Sequence, residues 1–118
     1  MAAGVSKPMK LDVAQKPGGA VVSLAGSISG TEADRLRQAL EGLAAQKVPV
    51  IVVDMGQVDY ISSMGLGAII TGHLRCRHHH GQIRLARPRP MVRELLATTR
   101  LTQIFGIYDS VEQALAGQ

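Results

Sequence analysis

Val50-Ile-Val-Val53 constrains the fold more than any other stretch of this chain. A short, continuous run of β-branched and apolar side chains, with no polar alternation, suits a strand covered on both faces in a largely parallel sheet. Parallel neighbours cannot be joined by tight turns, so helical crossovers are expected on either side. Both flanks carry them. Ser29-Gly-Thr-Glu32 has capping-box spacing, and Leu36, Leu40 and Leu43 follow at i, i+4 and i+7, which predicts an amphipathic helix ending before Pro49. On the other side, Leu66, Ile69, Ile70 and Leu74 recur at helical spacing up to Gly81, so Ser62-Ser63 falls at a helix N-terminus.

The remaining segments extend the same alternation. Lys10 to Ala14 and Ala20 to Ala25 read as strands of a hairpin, with Lys16-Pro17-Gly18-Gly19 supplying the turn. Ile83 to Ala86 reads as a further strand, Pro90 opens a helix through Met91, Leu95 and Leu96, and Phe105 to Tyr108 makes a last short strand. Ser110-Val-Glu-Gln113 is a second capping box. The expected architecture is α/β, a mixed sheet of four to five strands packed with about four helices. A chain of 118 residues, 46% of them hydrophobic, fills one core and not two. Residues 1–8 are read as a flexible tail and residues 9–118 as the domain.

Several chemistries lack their parts. Asp54 and Asp59 flank a strand end as solvated or turn-forming carboxylates, without the partners of an acid/base site. His73, His78, His79 and His80 have only Cys76 to complete a metal site, so no metal or other cofactor is expected. Gly65 and Gly67 do not make a dinucleotide fingerprint, and no phosphate-cradling loop is present. The net charge of +4 is local: His73 to Arg93 holds Arg75, Arg77, Arg84, Arg87, Arg89 and Arg93 with no acid. Those arginines are divided among a helix, a strand and a loop, and with one Phe, two Tyr and no Trp, stacking platforms are scarce. Direct nucleic-acid binding is therefore not expected. The single cysteine fits a reducing compartment, and no apolar run approaches the roughly 18 residues of a membrane span, so a cytoplasmic protein acting away from membranes is expected.

The informative feature is the delivery of a hydroxyl from a buried strand to a helix start, where free N–H groups favour an anion. Asp54 to Gly67, Gly81-Gln-Ile-Arg-Leu, Val92-Arg-Glu-Leu-Leu, Leu101-Thr-Gln-Ile-Phe and Ile107-Tyr-Asp-Ser110 together resemble the STAS domain of bacterial anti-anti-sigma factors, from about residue 9 to the C-terminus. In that family a serine opening the second helix is phosphorylated by an anti-sigma factor of the histidine-kinase-like ATPase class. The unphosphorylated protein binds that kinase and frees the sigma factor.

The resemblance implies that Ser63 is the phosphoacceptor and that Gly65-Leu66 matches the Gly-Leu that follows it. Ser62 stands where the family commonly has Asp, Met64 at its second Ser or Thr, and Ser29 where an acidic residue often follows Gly-x-Leu near the first helix. Ser29, Tyr60, Ser62, Ser63, Met64 and Gly65 are the expected partner-binding residues, and a phosphatase is the expected counterpart of the kinase. The alternative is a STAS regulatory subunit bound constitutively to a transporter ATPase or another partner, with Ser63 only capping its helix. An enzyme is not expected.

Overall fold

The computed structural model describes residues 9–117, so the tail expected over residues 1–8 lies outside the described residues. Strands β1 (Lys10–Lys16) and β2 (Gly19–Ile28) form the expected antiparallel hairpin, and Gly18 turns it at φ 81°, where a side chain would be strained. Helix α1 (Gly30–Ala45) crosses to β3 (Val50–Ile61), and α2 (Ser63–Arg77) crosses to β4 (Gln82–Ala86). Helix α3 (Pro90–Thr98) and a 3-10 turn (Leu101–Gln103) lead to β5 (Gly106–Tyr108) and a short α4 (Val111–Ala116). Sheet order follows chain order, β1 to β5, and every pairing after the hairpin is parallel.

Val50–Val53 is central as expected, with β2 on one side and β4 on the other. Its inward faces divide the core. Ile51 and Val53 join Val22, Leu24, Ile83 and Leu85 beneath Leu36, Leu40, Ile69 and Leu96 of the first three helices. Val52 faces the other way, with Val21 and Ala86 under Ala114 of α4. An unbroken apolar run is therefore what a strand between two covered faces requires.

The structure differs from the sequence reading in three local respects. β3 does not stop near Asp54 but runs on to Ile61, held by β2 through two register shifts at Ser23/Ala25 and Gly26/Ser27. α2 ends at Arg77 rather than reaching Gly81. His80 takes a left-handed φ of 66° and the Gly81 N–H donates to the Cys76 carbonyl at 2.8 Å, a helix-ending turn usually built with glycine. Ser29 is the N-cap of α1, yet its hydroxyl caps nothing. Gly30 begins that helix at φ 50°, and only the Ser29 carbonyl engages, accepting from Glu32 and Ala33. At α4 the serine half of the second capping box does form, with Ser110 Oγ accepting from Gln113 N at 3.0 Å.

Four of the six arginines in the basic segment meet acids from elsewhere in the chain once folded. Arg75 faces Glu41, Arg87 pairs with Asp54, Arg89 with Asp59 and Arg93 with Asp109. Arg84 donates to the Ala114 carbonyl and lies over the Tyr108 ring. Where both partners are exposed, as for Arg89–Asp59 and Arg93–Asp109, such pairs contribute about 0–1 kcal/mol each.

His73 and Cys76 are buried, on the face of α2 that meets the sheet. His73 Nδ1 accepts from the Ile83 N–H at 3.2 Å, and its ring meets Phe105 edge-on with centroids 5.0 Å apart. The imidazole is therefore neutral, with its proton on Nε2. Burial, aided by Arg77, lowers its pKa below 6.5, so the unfolded chain binds the proton more readily than the folded one. Stability is expected to be complete above pH 6.5 and to fall as pH drops from there towards the lowered folded value. Urea denaturation across that range checks this. His73→Asn, which keeps a carbonyl acceptor but cannot titrate, should flatten the profile in this window.

Candidate functional site

Parallel strands β2 and β3 end side by side, with Ser27 opposite Tyr60 and Ile28 opposite Ile61. The Ser62 N–H then donates to the Ile28 carbonyl at 2.8 Å, extending the pairing by one residue. This brings the Ser29-Gly30 turn and the Ser62-Ser63 turn together at the carboxyl end of the sheet, the place where parallel α/β folds expose functional loops.

The two serines have different work. Ser62 is the N-cap of α2: its Oγ accepts from Gly65 N at 3.2 Å and its carbonyl accepts from Leu66 N at 2.9 Å. Ser63 is the first helical residue and is exposed. A helix needs only one capping hydroxyl, so Ser63 Oγ is spared that role while standing beside the positive end of α2. No acid occupies the first turn to repel an added anion. Ser62→Ala is expected to cost about 1 kcal/mol of stability, whereas Ser63→Ala should stay within about 0.5 kcal/mol. Chemical denaturation of the two variants distinguishes them.

The flanking residues diverge in burial. Met64 is 63% exposed and borders a groove of about 230 Å³ between α1 and α2, shared with Ala33, Asp34, Arg37, Gly67 and Thr71. Tyr60 is 51% exposed and borders a second groove, of about 360 Å³, with Ile61, Met91, Val92 and Leu95 of α3. Ser63 thus follows a residue of one groove in the chain and precedes a residue of another. Gly65 is buried: a Cβ there would lie 2.6 Å from Ile61 Cγ1 and 3.0 Å from Ile28 Cγ2. Its missing side chain lets α2 start against the two strand ends, while Gly67, with nothing within 4 Å of an added Cβ, keeps the outer groove open. Met55 is wholly in the core.

Sequence reasoning missed the fastening of the β3 end. Arg87 grips Asp54 with two hydrogen bonds, Nε to Oδ1 at 2.9 Å and Nη2 to Oδ2 at 3.0 Å, and the Asp54 side chain is only 14% exposed. The hydrogen bonds and charge of Asp54 raise the Arg87 pKa. Arg89 donates to the Gly56 carbonyl and to Asp59. Two carboxylates that invited an acid/base reading are thereby occupied as arginine partners. The available signal was the pairing of acids at 54 and 59 with arginines at 87 and 89, but such spacing has no meaning until β3 and β4 are known to be neighbours.

An exposed hydroxyl on a capped helix, set at the ends of parallel strands, can accept a phosphate or meet a protein surface. Comparison with known proteins identifies the scaffold. Residues 10–114 match the family model described as the STAS domain. The chain belongs to the STAS domain family. A Bordetella bronchiseptica protein named as the anti-sigma factor antagonist BtrV is 30% identical over 108 residues, covering 92% of this chain and 93% of that protein. The crystal structure of an anti-sigma factor antagonist from Mycobacterium paratuberculosis superposes with a TM-score of 0.83 at 26% identity, covering 92% of each chain. The anti-sigma factor antagonist SpoIIAA in its unphosphorylated form has a TM-score of 0.80 at 18% identity, covering 90% of this chain and 93% of its own, a likeness of fold. The five-stranded mixed sheet with four helices is the STAS fold.

Proposed function

We propose that this STAS domain is an anti-sigma factor antagonist that binds an anti-sigma factor when Ser63 is free and releases it when Ser63 carries a phosphate. The observation that carries this reading is the division of labour at α2: Ser62 caps the helix and Ser63 stands exposed beside it. The names of the Bordetella and Mycobacterium relatives support the partner class. The partner is then an anti-sigma factor of the histidine-kinase-like ATPase class, which transfers the γ-phosphoryl group of ATP to Ser63 Oγ. A phosphatase restores the free serine.

The mechanism is electrostatic. The binding face consists of Ser29, Tyr60, Ser62, Ser63 and Met64, with Gly65 behind it setting the position of the helix. Exposed Tyr60 and Met64 offer adaptable apolar contact around the hydroxyl. A phosphate adds about −1.5 to −2 charge at neutral pH, which the helix terminus accommodates in the free protein. Burying the same charge under a partner requires desolvation, and the complex weakens.

The reading is tested by adding the unphosphorylated chain to a preformed complex of such an anti-sigma factor with its sigma factor. Release of sigma in proportion to added chain is the expected result. A stable complex that leaves sigma bound would refute antagonism.

A further inference from the structure

β3 is longer than one of its neighbours can support. Pairing with β4 ends at Asp54 opposite Ala86, but β3 continues to Ile61 with β2 on its other side. Beyond Ala86 the chain turns sharply. Arg87 takes a left-handed φ of 56° while its N–H donates to the Tyr108 carbonyl at 2.9 Å, and Arg89 becomes the N-cap of α3. Both side chains then reach back to the stretch of β3 that β4 has left. Arg87 lies over Gly56, where an added Cβ would fall 2.5 Å from Cζ. Its guanidinium holds Asp54, while Arg89 donates to the Gly56 carbonyl at 3.0 Å and to Asp59 Oδ1 at 2.7 Å. The Gly56 contact meets a backbone acceptor on β3 with a side-chain donor.

We propose that Arg87 and Arg89 act as positioning residues that replace a strand along the outer half of β3 and thereby fix the turn presenting Ser62 and Ser63. Tyr60, Ile61 and Ser62 follow Asp59 directly, so slack at Asp59 passes without an intervening loop to the cap of α2. The fork of an arginine supplies several fixed donors at once, which a lysine cannot. The physical claim about β3 stands on the geometry alone, and its consequence for phosphorylation rests on the antagonist reading.

The test is residue-resolved amide hydrogen exchange on the full chain, as wild type and as Arg87→Ala, Arg89→Ala and Arg89→Lys. Loss of either arginine should speed exchange over residues 57–63 by about tenfold or more and leave residues 50–53 within about twofold, with Arg89→Lys intermediate. Phosphate transfer by an anti-sigma factor kinase should show KM for the Arg89→Ala chain raised about fivefold with kcat little changed, since the turn must be ordered on binding. Unchanged exchange at residues 57–63, or a rise shared evenly by the whole sheet, would overturn the proposal. Localised exchange with no change in KM would overturn the link to the serine turn. If the wild type itself accepts no phosphate, the antagonist switch fails, and the exchange profile still decides the role of the arginines.

Discussion

Phosphorylation of Ser63 is expected to weaken binding to the anti-sigma factor by about a hundredfold or more, a change of about 2.7 kcal/mol. Ser63 is the first residue of α2, exposed, and beside the Ser62 cap. In the free chain the phosphate charge is solvated and lies at a favourable helix end, so the fold should not suffer. In the complex the charge must be desolvated or matched, and the binding free energy carries the difference. Ser63→Ala should bind within about threefold of the wild type, because the hydroxyl caps nothing and the methyl group adds no strain. Ser63→Asp should lose about tenfold, since one carboxylate has less charge than a phosphate and one oxygen fewer. Calorimetric titration of the four forms against one anti-sigma factor checks the series, and a phosphorylated chain binding as tightly as the wild type would contradict it.

Gly65→Ala is expected to be the more damaging structural change, although it adds one methyl group. That carbon would stand 2.6 Å from Ile61 Cγ1 and 3.0 Å from Ile28 Cγ2, both on side chains held in the core. Overpacking of this kind costs about 1–3 kcal/mol, and the gain in helix propensity of up to about 1 kcal/mol offsets only part of it. A net loss of about 1–2 kcal/mol lowers the melting temperature of a domain this size by several degrees. The shift that relieves the clash moves the start of α2, so partner affinity should fall as well. Gly67→Ala is the control. Its added Cβ meets nothing within 4 Å, so it should be neutral or stabilising by up to about 1 kcal/mol. Equal melting temperatures for the two variants would argue against the packing account.

The parts of this fold that were legible in the sequence are those fixed by local pattern. Val50–Val53 is central because every side chain of the run is apolar or β-branched, and the hairpin follows from a Pro-Gly turn between two strand-like segments. Ser62-Ser63 falls at the start of α2 because helical periodicity begins immediately after it. What escaped depends on neighbours distant in the chain. Asp54 to Ile61 carries Gly, Asp and Gln among its apolar residues, and its partners are distant in the chain: β2 pairs with it, and Arg87 and Arg89 hydrogen-bond to it. Four arginines of the basic segment find acids only after folding, at Glu41, Asp54, Asp59 and Asp109. At Ser29 the spacing of a capping box was present, but Gly30 entered the helix with a left-handed φ and the hydroxyl was left out. The motif identified both serines of α2, and only the geometry separated the cap from the exposed hydroxyl.

That separation is most directly tested by mapping phosphate onto the wild-type chain. The chain is incubated with ATP, Mg²⁺ and an anti-sigma factor of the histidine-kinase-like class whose sigma factor it releases, and the product is sequenced by fragmentation mass spectrometry. The account predicts one phosphate, on Ser63, with Ser62→Ala still modified there and Ser63→Ala not modified at all. Phosphate on Ser62 alone, or a stable complex in which neither serine is modified, would contradict it.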